Sequence, residues 1–306
     1  MPELPDVTLY VEHLERRLAG ARPSAIRILS PHLLRTVEPA PDDLIGVPLA
    51  GVSRMGKRIV FAFEGGLFMV VHLMIAGRFQ WRDGDARSPS RGAVAVFAFD
   101  RGTVVLTEAG TRRRTSLHVV RGNSALAALD PGGVEPLEAP LERFAAALTR
   151  ERHTLKRALT DPRLFSGIGN AYSDEILHRA RLSPLRQTHQ LEEGEVARLH
   201  QAVRTVLIEW TERLRAEAGD AFPRKVTAFR EGMAVHGRWR QPCPDCGAPV
   251  QRIAYADHET NYCARCQTGG RLLADRALSR LLRADFPRTL ADLEELNPPS
   301  GSRHRP

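Results

Sequence analysis

Two closely spaced cysteine pairs constrain this chain more than any other feature. Cys243 and Cys246 are separated by two residues, sixteen residues follow, and Cys263 and Cys266 repeat the spacing. Each pair can clamp one side of a tetrahedral Zn²⁺ ion, and this spacing is typical of four-thiolate zinc sites. The 306 residues contain four cysteines, so a metal site is favoured over a disulfide scaffold. Because thiolates fill all four positions around the ion, the predicted zinc is structural.

The segment between the cysteine pairs is predicted to form a β-hairpin. Residues 249–262 carry it, and its tip lies near residues 256–258. A metal-held hairpin of this length has no hydrophobic core of its own. It is therefore suited to presenting a side chain of the tip, such as His258, to a partner.

The charge balance indicates the kind of partner. The chain has 44 Lys and Arg against 36 Asp and Glu, a formal net charge of +8 and a pI of about 9.9. This excess favours a polyanion such as nucleic acid over an acidic small molecule. A basic protein with no such partner has the same composition, so charge alone leaves both readings open.

We expect a cytoplasmic, bacterial-type monomer with no membrane segment. The N-terminus is acidic and rich in proline, and no basic region precedes an apolar core, so a secretory signal is not predicted. The longest apolar run, residues 66–77, is interrupted by His72 and is too short to cross a bilayer.

The first six residues suggest amine chemistry. Removal of Met1 would leave Pro2 as a terminal secondary amine, followed by the carboxylate of Glu3. An α-amine has a pKa near 8, so about 10% of it is neutral and nucleophilic at pH 7. Its attack on a sugar carbon gives an iminium ion, which is a good electron sink. The alternative is that Pro2 merely starts the chain and Glu3 is a solvated charge.

Hydrophobic periodicity predicts an α+β, multidomain fold. A leading helix is indicated by apolar residues at i, i+3 and i+4 from Val7 to Leu18,. Short β-branched runs bounded by glycine and aspartate then predict a β-sandwich, with strands at residues 25–29, 58–63, 67–73, 93–99, 103–106 and 116–120. The predicted domains are an N-terminal β-sandwich (2–130), a linker (131–140), a helical domain (141–240), a zinc finger (241–268) and a C-terminal extension (269–306).

Two further stretches carry candidate binding residues. Lys57 lies in a predicted loop, residues 51–58, and either holds a phosphate or influences the amine, or is simply solvated. In residues 155–177 a short helix, a turn with two glycines and a second helix starting at Asn170 are predicted. The free N–H groups at such a helix start bind anions, and Lys156 adds charge. A plain helix cap explains the same residues.

The extension after the cysteines is predicted to be helical. Leucines from Leu272 to Leu282 form a helical stripe, and a second short helix is expected at residues 290–296. Packing of these helices onto the preceding domain is favoured over binding of a partner.

Taken together, the N-terminal Pro2-Glu3-Leu4-Pro5, the Gly56-Lys57 loop, the turn ending at Asn170 and the four-cysteine finger resemble the formamidopyrimidine-DNA glycosylase/endonuclease VIII family. The similarity covers residues 2–268. It implies a helix–two-turn–helix domain and a base-excision-repair DNA glycosylase with AP lyase activity, acting on damaged double-stranded DNA. In such enzymes the N-terminal proline forms a Schiff base with a flipped-out nucleotide, and β- and δ-elimination then cut the strand.

The resemblance also implies roles for single residues. Pro2 would be the nucleophile, Glu3 the acid/base and Lys57 a catalytic lysine near a phosphate. Lys156 and Asn170 would hold phosphates, and the four cysteines would bind one zinc ion. Arg113 and either Ile75 or Met74 would fill the gap left by the flipped base, although the family's aromatic wedge residue has no counterpart here.

His258 stands where the family carries a finger-tip arginine that assists δ-elimination. Histidine cannot form the bidentate fork and is mostly neutral at pH 7. The lesion stays open between 8-oxoguanine or formamidopyrimidines, oxidised pyrimidines and abasic sites. A paralogue that binds lesions without processing them, and a zinc-ribbon RNA-binding protein, are the competing hypotheses.

Overall fold

The structure is a computed structural model of the chain. It describes residues 1–84, 91–109, 113–223, 226, 230–255, 258–273 and 287–296. The chain divides into two compact units. Unit 1 comprises residues 1–135, 165–168 and 207–228, and unit 2 comprises residues 136–164, 169–206 and 229–306.

Unit 1 begins with helix α1, Leu4–Leu18, which confirms the predicted leading helix and starts it three residues earlier than the apolar pattern does. Pro5 in the first turn needs no N–H partner, and Asp6 in the same turn suits the positive end of the helix dipole,. The apolar stripe of α1, which includes Val7, Tyr10 and Leu14, is fully buried in the core of the sandwich.

Eight antiparallel strands form two four-stranded sheets, which confirms the predicted β-sandwich. One sheet has the order β1-β6-β7-β5 and the other β2-β3-β4-β8. The core between them contains Phe61, Phe79 and Phe97, each about 1% exposed or less. The strands are β1 (Pro23–Ile28), β2 (Leu49–Met55), β3 (Arg58–Phe63), β4 (Leu67–His72), β5 (Gly77–Arg82), β6 (Ala93–Phe99), β7 (Gly102–Glu108) and β8 (Ser116–Arg121).

Two of these strands correct the prediction. The predicted loop at residues 51–58 is mostly strand β2, and only Gly56 and Lys57 form the turn to β3. A register shift between Leu49 and Gly51 interrupts the alternation of apolar residues in β2, which hides it in the sequence. Strand β5 was not predicted at all, although Phe79 and Trp81 alternate with Arg78, Gln80 and Arg82.

The remaining helices and the finger follow the predicted order. The short helix α4 ends before Asp161, α5 starts at Asn170, and a long helix, α6, follows, as predicted. The hairpin between the cysteine pairs is also confirmed. The elements are α2 (Asn123–Ala127), α3 (Leu141–Thr149), α4 (Leu155–Thr160), α5 (Asn170–Arg179), α6 (Glu193–Ala218), β9 (Gln251–Ala254), β10 (Glu259–Tyr262), α7 (Ala264–Thr268) and α8 (Leu290–Leu296), with 3-10 turns at Pro41–Leu44, Glu64–Gly66 and Thr188–Gln190.

The described part of the C-terminal extension packs onto the finger. Leu272 and Leu290 are buried in the finger's apolar cluster, and the Leu273 N–H donates to the Tyr262 hydroxyl over 2.7 Å. The predicted helical stripe is wrong at its start, because Leu272 and Leu273 are not helical; residues 274–282 lie outside the described residues. Helix α8 lies where the second short helix was predicted.

Among the described residues, none of the helices has the length and apolar character that a membrane crossing requires.

Candidate functional site

The N-terminal turn of unit 1 is held by hydrogen bonds from two of its backbone N–H groups. The Glu3 N–H donates to the Asp6 carboxylate over 3.0 Å, and the Leu4 N–H donates to the Gly167 carbonyl over 2.9 Å. Pro2, Glu3 and Asp6 are all buried. The residues predicted to carry the chemistry are therefore held in one conformation at the start of α1.

The terminal amine lies in an environment that favours its neutral form. Burial lowers the pKa of the Met1 amino group, and Arg78 and Lys57 lower it further, while Glu3 and Asp6 act in the opposite direction. The pKa of the terminal amine is thus shifted by four charged side chains, two acidic and two basic. Arg78 was missed in the sequence because it lies on the unpredicted strand β5.

Lys57 lies in the tight turn between β2 and β3. Gly56 supplies the positive φ of 61° that this turn requires,. Arg54 holds the turn, since its guanidinium donates to the Gly56 carbonyl over 3.0 Å and also contacts Glu135 and the Ser166 hydroxyl. The same arginine thereby ties the Lys57 turn to the loop of residues 165–168 that holds Leu4.

His72 lies close to the charges of Lys57 and Arg58, and the sequence analysis did not single it out. It ends β4 and pairs with Arg58 in the sheet register. Burial, with Arg58, Lys57 and His118 contributing, lowers the pKa of His72 to about 4, so its imidazole is neutral at pH 7. Its buried Nε2 has no hydrogen-bond partner among the described residues. The available signal was a histidine interrupting the apolar run of residues 66–77.

The structure connects the two predicted wedge loops. Ile75 is 60% exposed on the turn between β4 and β5, next to Met74 with its φ of 51°. Thr115 donates from its hydroxyl to the Leu73 carbonyl over 3.3 Å, which links this turn to the loop that carries Arg113.

Arg113 itself lies at the edge of the described residues, since residues 110–112 are outside them. Its guanidinium donates to the Ser30 hydroxyl over 3.2 Å. The buried Glu108 carboxylate accepts the N–H groups of Arg114 and Thr115, and so fixes the backbone that follows Arg113.

In unit 2, Asn170 occupies the first position of α5. Its side-chain amide donates to the Glu259 carbonyl in β10 over 3.0 Å, so the helix start and the hairpin are joined. Lys156 lies below it: the ammonium donates to the Asn170 carbonyl over 2.6 Å and to the Asp174 carboxylate over 2.5 Å. Because the Lys156 side chain is 11% exposed, it supports Asn170 from inside the unit, and its contact with a phosphate stays a prediction.

Two buried carboxylates on α5 organise the segment before the finger. The second Asp174 oxygen lies 2.8 Å from His236 Nδ1. The Glu175 carboxylate accepts the N–H groups of Ala234, Val235 and His236. The sequence did not single out either residue, since the contacts join positions about sixty residues apart.

The four cysteine sulfurs lie within 4.8 Å of one another. The Cys243–Cys266 and Cys246–Cys263 sulfurs are 3.9 and 3.4 Å apart, and a tetrahedral zinc with bonds of about 2.3 Å separates its sulfurs by roughly 3.8 Å. Burial and neighbouring thiols raise the pKa of Cys263 to about 11, so a bound dication is needed to keep this sulfur ionised at pH 7. His178 Nε2 lies 3.3 Å from the Cys243 sulfur, a contact that can orient this ligand.

His258 stands at the end of the hairpin. Its ring stacks on Tyr255 with centroids 4.6 Å apart and planes 11° from parallel, and its carbonyl accepts the Tyr255 N–H over 2.9 Å. Residues 256 and 257 of the predicted tip lie outside the described residues. The stack restricts the orientation of the imidazole.

Three family models match the chain. The formamidopyrimidine-DNA glycosylase N-terminal domain matches residues 1–117, and the formamidopyrimidine-DNA glycosylase H2TH domain matches residues 133–217. The zinc finger found in FPG and IleRS matches residues 240–269. Together with the four-sulfur cluster, the last match shows that the chain binds one structural zinc ion.

Curated and solved proteins resemble the chain over most of its length. The formamidopyrimidine-DNA glycosylase of Desulforamulus reducens is 32% identical over 280 residues, covering 87% of this chain and 99% of the relative. The crystal structure of MutM (Fpg) from Thermus thermophilus has a TM-score of 0.72 at 32% identity and covers 87% and 98% of the two chains. The Lactococcus lactis Fpg in complex with a DNA containing FAPY-dG has a TM-score of 0.77 at 25% identity and covers 87% and 100%.

Proposed function

The chain belongs to the formamidopyrimidine-DNA glycosylase family, and we propose that it is a bifunctional DNA glycosylase/AP lyase acting on oxidised bases. Membership makes it a DNA glycosylase of base excision repair. Beyond this, we propose the lyase step, the roles of single residues and the class of damaged base. We expect the enzyme to act as a monomer on damaged double-stranded DNA in the cytoplasm of a bacterial cell.

The observation that carries the proposal is the placement of Pro2 and Glu3, which are buried together at a start of α1 that is held by Asp6 and Gly167; burial also lowers the pKa of the terminal amine there. After removal of Met1, the secondary amine of Pro2 takes this place. Its lone pair attacks C1′ of the damaged nucleotide while Glu3 protonates the sugar ring oxygen, and the base leaves. The resulting iminium ion acidifies the C2′ proton. Loss of that proton expels the 3′ phosphate, and a second elimination expels the 5′ phosphate.

Charged and wedge residues of unit 1 support these steps. Lys57 holds a phosphate beside the lesion. Ile75 is exposed on a left-handed turn, which suits insertion into the stack once the nucleotide is flipped out. Arg113 enters beside it.

Residues of unit 2 hold the DNA backbone in this proposal. Asn170 contacts a phosphate at the start of α5, and Lys156 supports it through the Asn170 carbonyl. His258, oriented by Tyr255, takes the finger-tip position and contacts a DNA phosphate. Because histidine forms a weaker phosphate contact than arginine, we expect δ-elimination to be the slowest step.

Borohydride trapping tests the proposal. Duplexes carrying formamidopyrimidine, 8-oxoguanine, an oxidised pyrimidine or an abasic site are incubated with the enzyme, and reduction of the iminium gives a covalent adduct. Glu3→Gln should lower base excision by about a hundredfold or more and still trap on the abasic duplex, where no base has to leave. Pro2→Gly should trap poorly on every duplex.

Two outcomes would contradict the proposal. An undiminished adduct with Pro2→Gly would show that the secondary amine of Pro2 is not required for the covalent step. Tight binding of damaged duplexes with no adduct and no strand cleavage would identify a lesion-binding paralogue without chemistry.

A further inference from the structure

Three side chains form a basic and aromatic cluster at the start of the finger, outside the residues used above. Trp239 is 37% exposed. The Arg240 and Arg252 guanidinium groups lie over its indole ring, 4.3 and 3.6 Å from the centroid. Both arginines are exposed. We refer to Trp239, Arg240 and Arg252 as the Trp239 cluster.

Arg240 adopts a backbone conformation that disfavours it. Its φ is +66°, in the left-handed region where a side chain clashes with the backbone and glycine does not. Three described non-glycine residues have a positive φ, namely Met74, Arg181 and Arg240. An arginine is less favourable than glycine at such a position, and at Arg240 it is accompanied by the stack on Trp239.

The charge of Arg240 is not neutralised within the described structure. Arg252 has a carboxylate partner, Glu259, at 3.3 Å, whereas no described carboxylate pairs with Arg240. Stacking uses the face of a guanidinium and leaves its N–H edge available, and it restricts the side chain before any ligand binds. This arrangement suits the bidentate recognition of a phosphate.

We propose that the Trp239 cluster is a second DNA-backbone site, which binds a phosphate outside the lesion site through Arg240. The net charge of +8 favours a polyanion over a neutral partner. The choice of DNA rests on the proposed function. The site needs no lesion and no flipped nucleotide, so it contributes to the binding of undamaged duplex as well.

The chain offers a matched control for Arg240. Arg181 has a φ of +54° and is exposed, but no described aromatic ring lies under its guanidinium. Arg240→Gly and Arg181→Gly therefore remove the same charge and the same backbone strain. Only Arg240→Gly also removes a guanidinium that is stacked on an aromatic ring.

The test measures binding of a short undamaged duplex by fluorescence anisotropy over a range of salt concentrations, with zinc-loaded full-length protein. Arg240→Gly should weaken binding roughly tenfold and reduce the slope of log K against log salt by about one. Arg181→Gly should change affinity less than about twofold. Both variants should unfold at a higher temperature than the wild type, because glycine relieves the strain.

Further variants distinguish the cluster from a purely structural one. Trp239→Ala removes the platform and should weaken binding, and Trp239→Phe should restore most of it. Equal losses of duplex affinity in Arg240→Gly and Arg181→Gly would assign the effect to net charge and overturn the proposal. A lower unfolding temperature for Arg240→Gly with unchanged affinity would overturn it too, since the stack would then serve stability.

The result is independent of the chemistry. Because the duplex is undamaged, the binding effect is measurable even if borohydride trapping fails. Conversely, the Arg240→Gly variant should form as much borohydride-trapped adduct on an abasic duplex as the wild type does, when the protein is saturating. Loss of trapping at saturation would place Arg240 in the lesion site and contradict its assignment to a separate one.

Discussion

His72 is a neutral imidazole held beside the cationic side chains of Lys57 and Arg58. Its pKa of about 4 in the folded protein lies below the ordinary 6.5. As the pH falls through 6.5, the unfolded chain takes up a proton at this position and the folded chain does not. The free energy of unfolding therefore decreases from about pH 6.5 to pH 4, and above this range His72 contributes no pH dependence.

Replacement of His72 should make the protein less sensitive to acid. Between about pH 7 and pH 5, wild type should lose about 2 kcal/mol more unfolding free energy than His72→Gln, because glutamine has no proton to gain,. Urea unfolding at each pH measures the difference. His189→Gln, which makes the same replacement at an exposed histidine, is the matched control variant. Parallel curves for wild type and His72→Gln would show that His72 titrates alike in both states.

The start of α1 depends on the loop of residues 165–168. Gly167 accepts the Leu4 N–H and has a φ of +79°, and a Cβ added to it would lie 2.8 Å from the Leu4 Cβ. Gly132 has nearly the same φ, +80°, with no atom within 4 Å of an added Cβ. The two glycines thus share a backbone requirement and differ in their surroundings.

Alanine substitutions at these glycines should separate strain from steric clash. Gly132→Ala should lower the free energy of unfolding by about 1 kcal/mol, the cost of the left-handed backbone. Gly167→Ala should lower it by about 3 kcal/mol, because Leu4 must also move. Since Leu4 follows Pro2 and Glu3 directly, Gly167→Ala should also slow single-turnover trapping on an abasic duplex. Equal unfolding costs, with unchanged trapping for both, would contradict this role of the loop.

Elements with short-range patterns were predictable from the sequence. The apolar spacing in α1 and the apolar runs in β3, β4 and β6 reflect burial of one face or both faces of the element. Each pattern lies within one short segment, so it can be recognised in the sequence. Strand β2 was misread because a bulge shifts its register.

The site was predictable where a residue type carries its own chemistry, as with Pro2, Glu3 and the four cysteines. It was not predictable where long-range contacts determine the position and partners of a side chain. The Lys156–Asp174 pair joins positions 18 residues apart, and the His236–Asp174 contact joins positions 62 apart. The positive φ of Arg240 is likewise a property of the folded backbone. The Arg240 N–H donates there to the carbonyl of Val250, ten positions away. No local pattern of residues encodes it.

At the scale of the whole molecule, the candidate residues are divided between the two units. Pro2, Glu3 and Lys57 belong to unit 1, and Asn170 with the finger belongs to unit 2. Each unit has its own buried apolar cluster. Perturbation of the zinc should therefore remain within unit 2.

Removal of zinc should loosen the finger and the start of α5 while leaving the β-sandwich folded. Without the cation the buried Cys263 thiol reprotonates, since its pKa is raised to about 11, and the cross-link that holds β9 and β10 is lost. Asn170 then loses its bond to Glu259 in β10, so duplex binding should weaken. Hydrogen exchange with a chelator present should rise in residues 251–262 and at the start of α5, but not in β1–β8, and added zinc should reverse it. Retained protection in β9 and β10, or simultaneous loss in β1–β8, would show that the finger does not depend on the metal in this way.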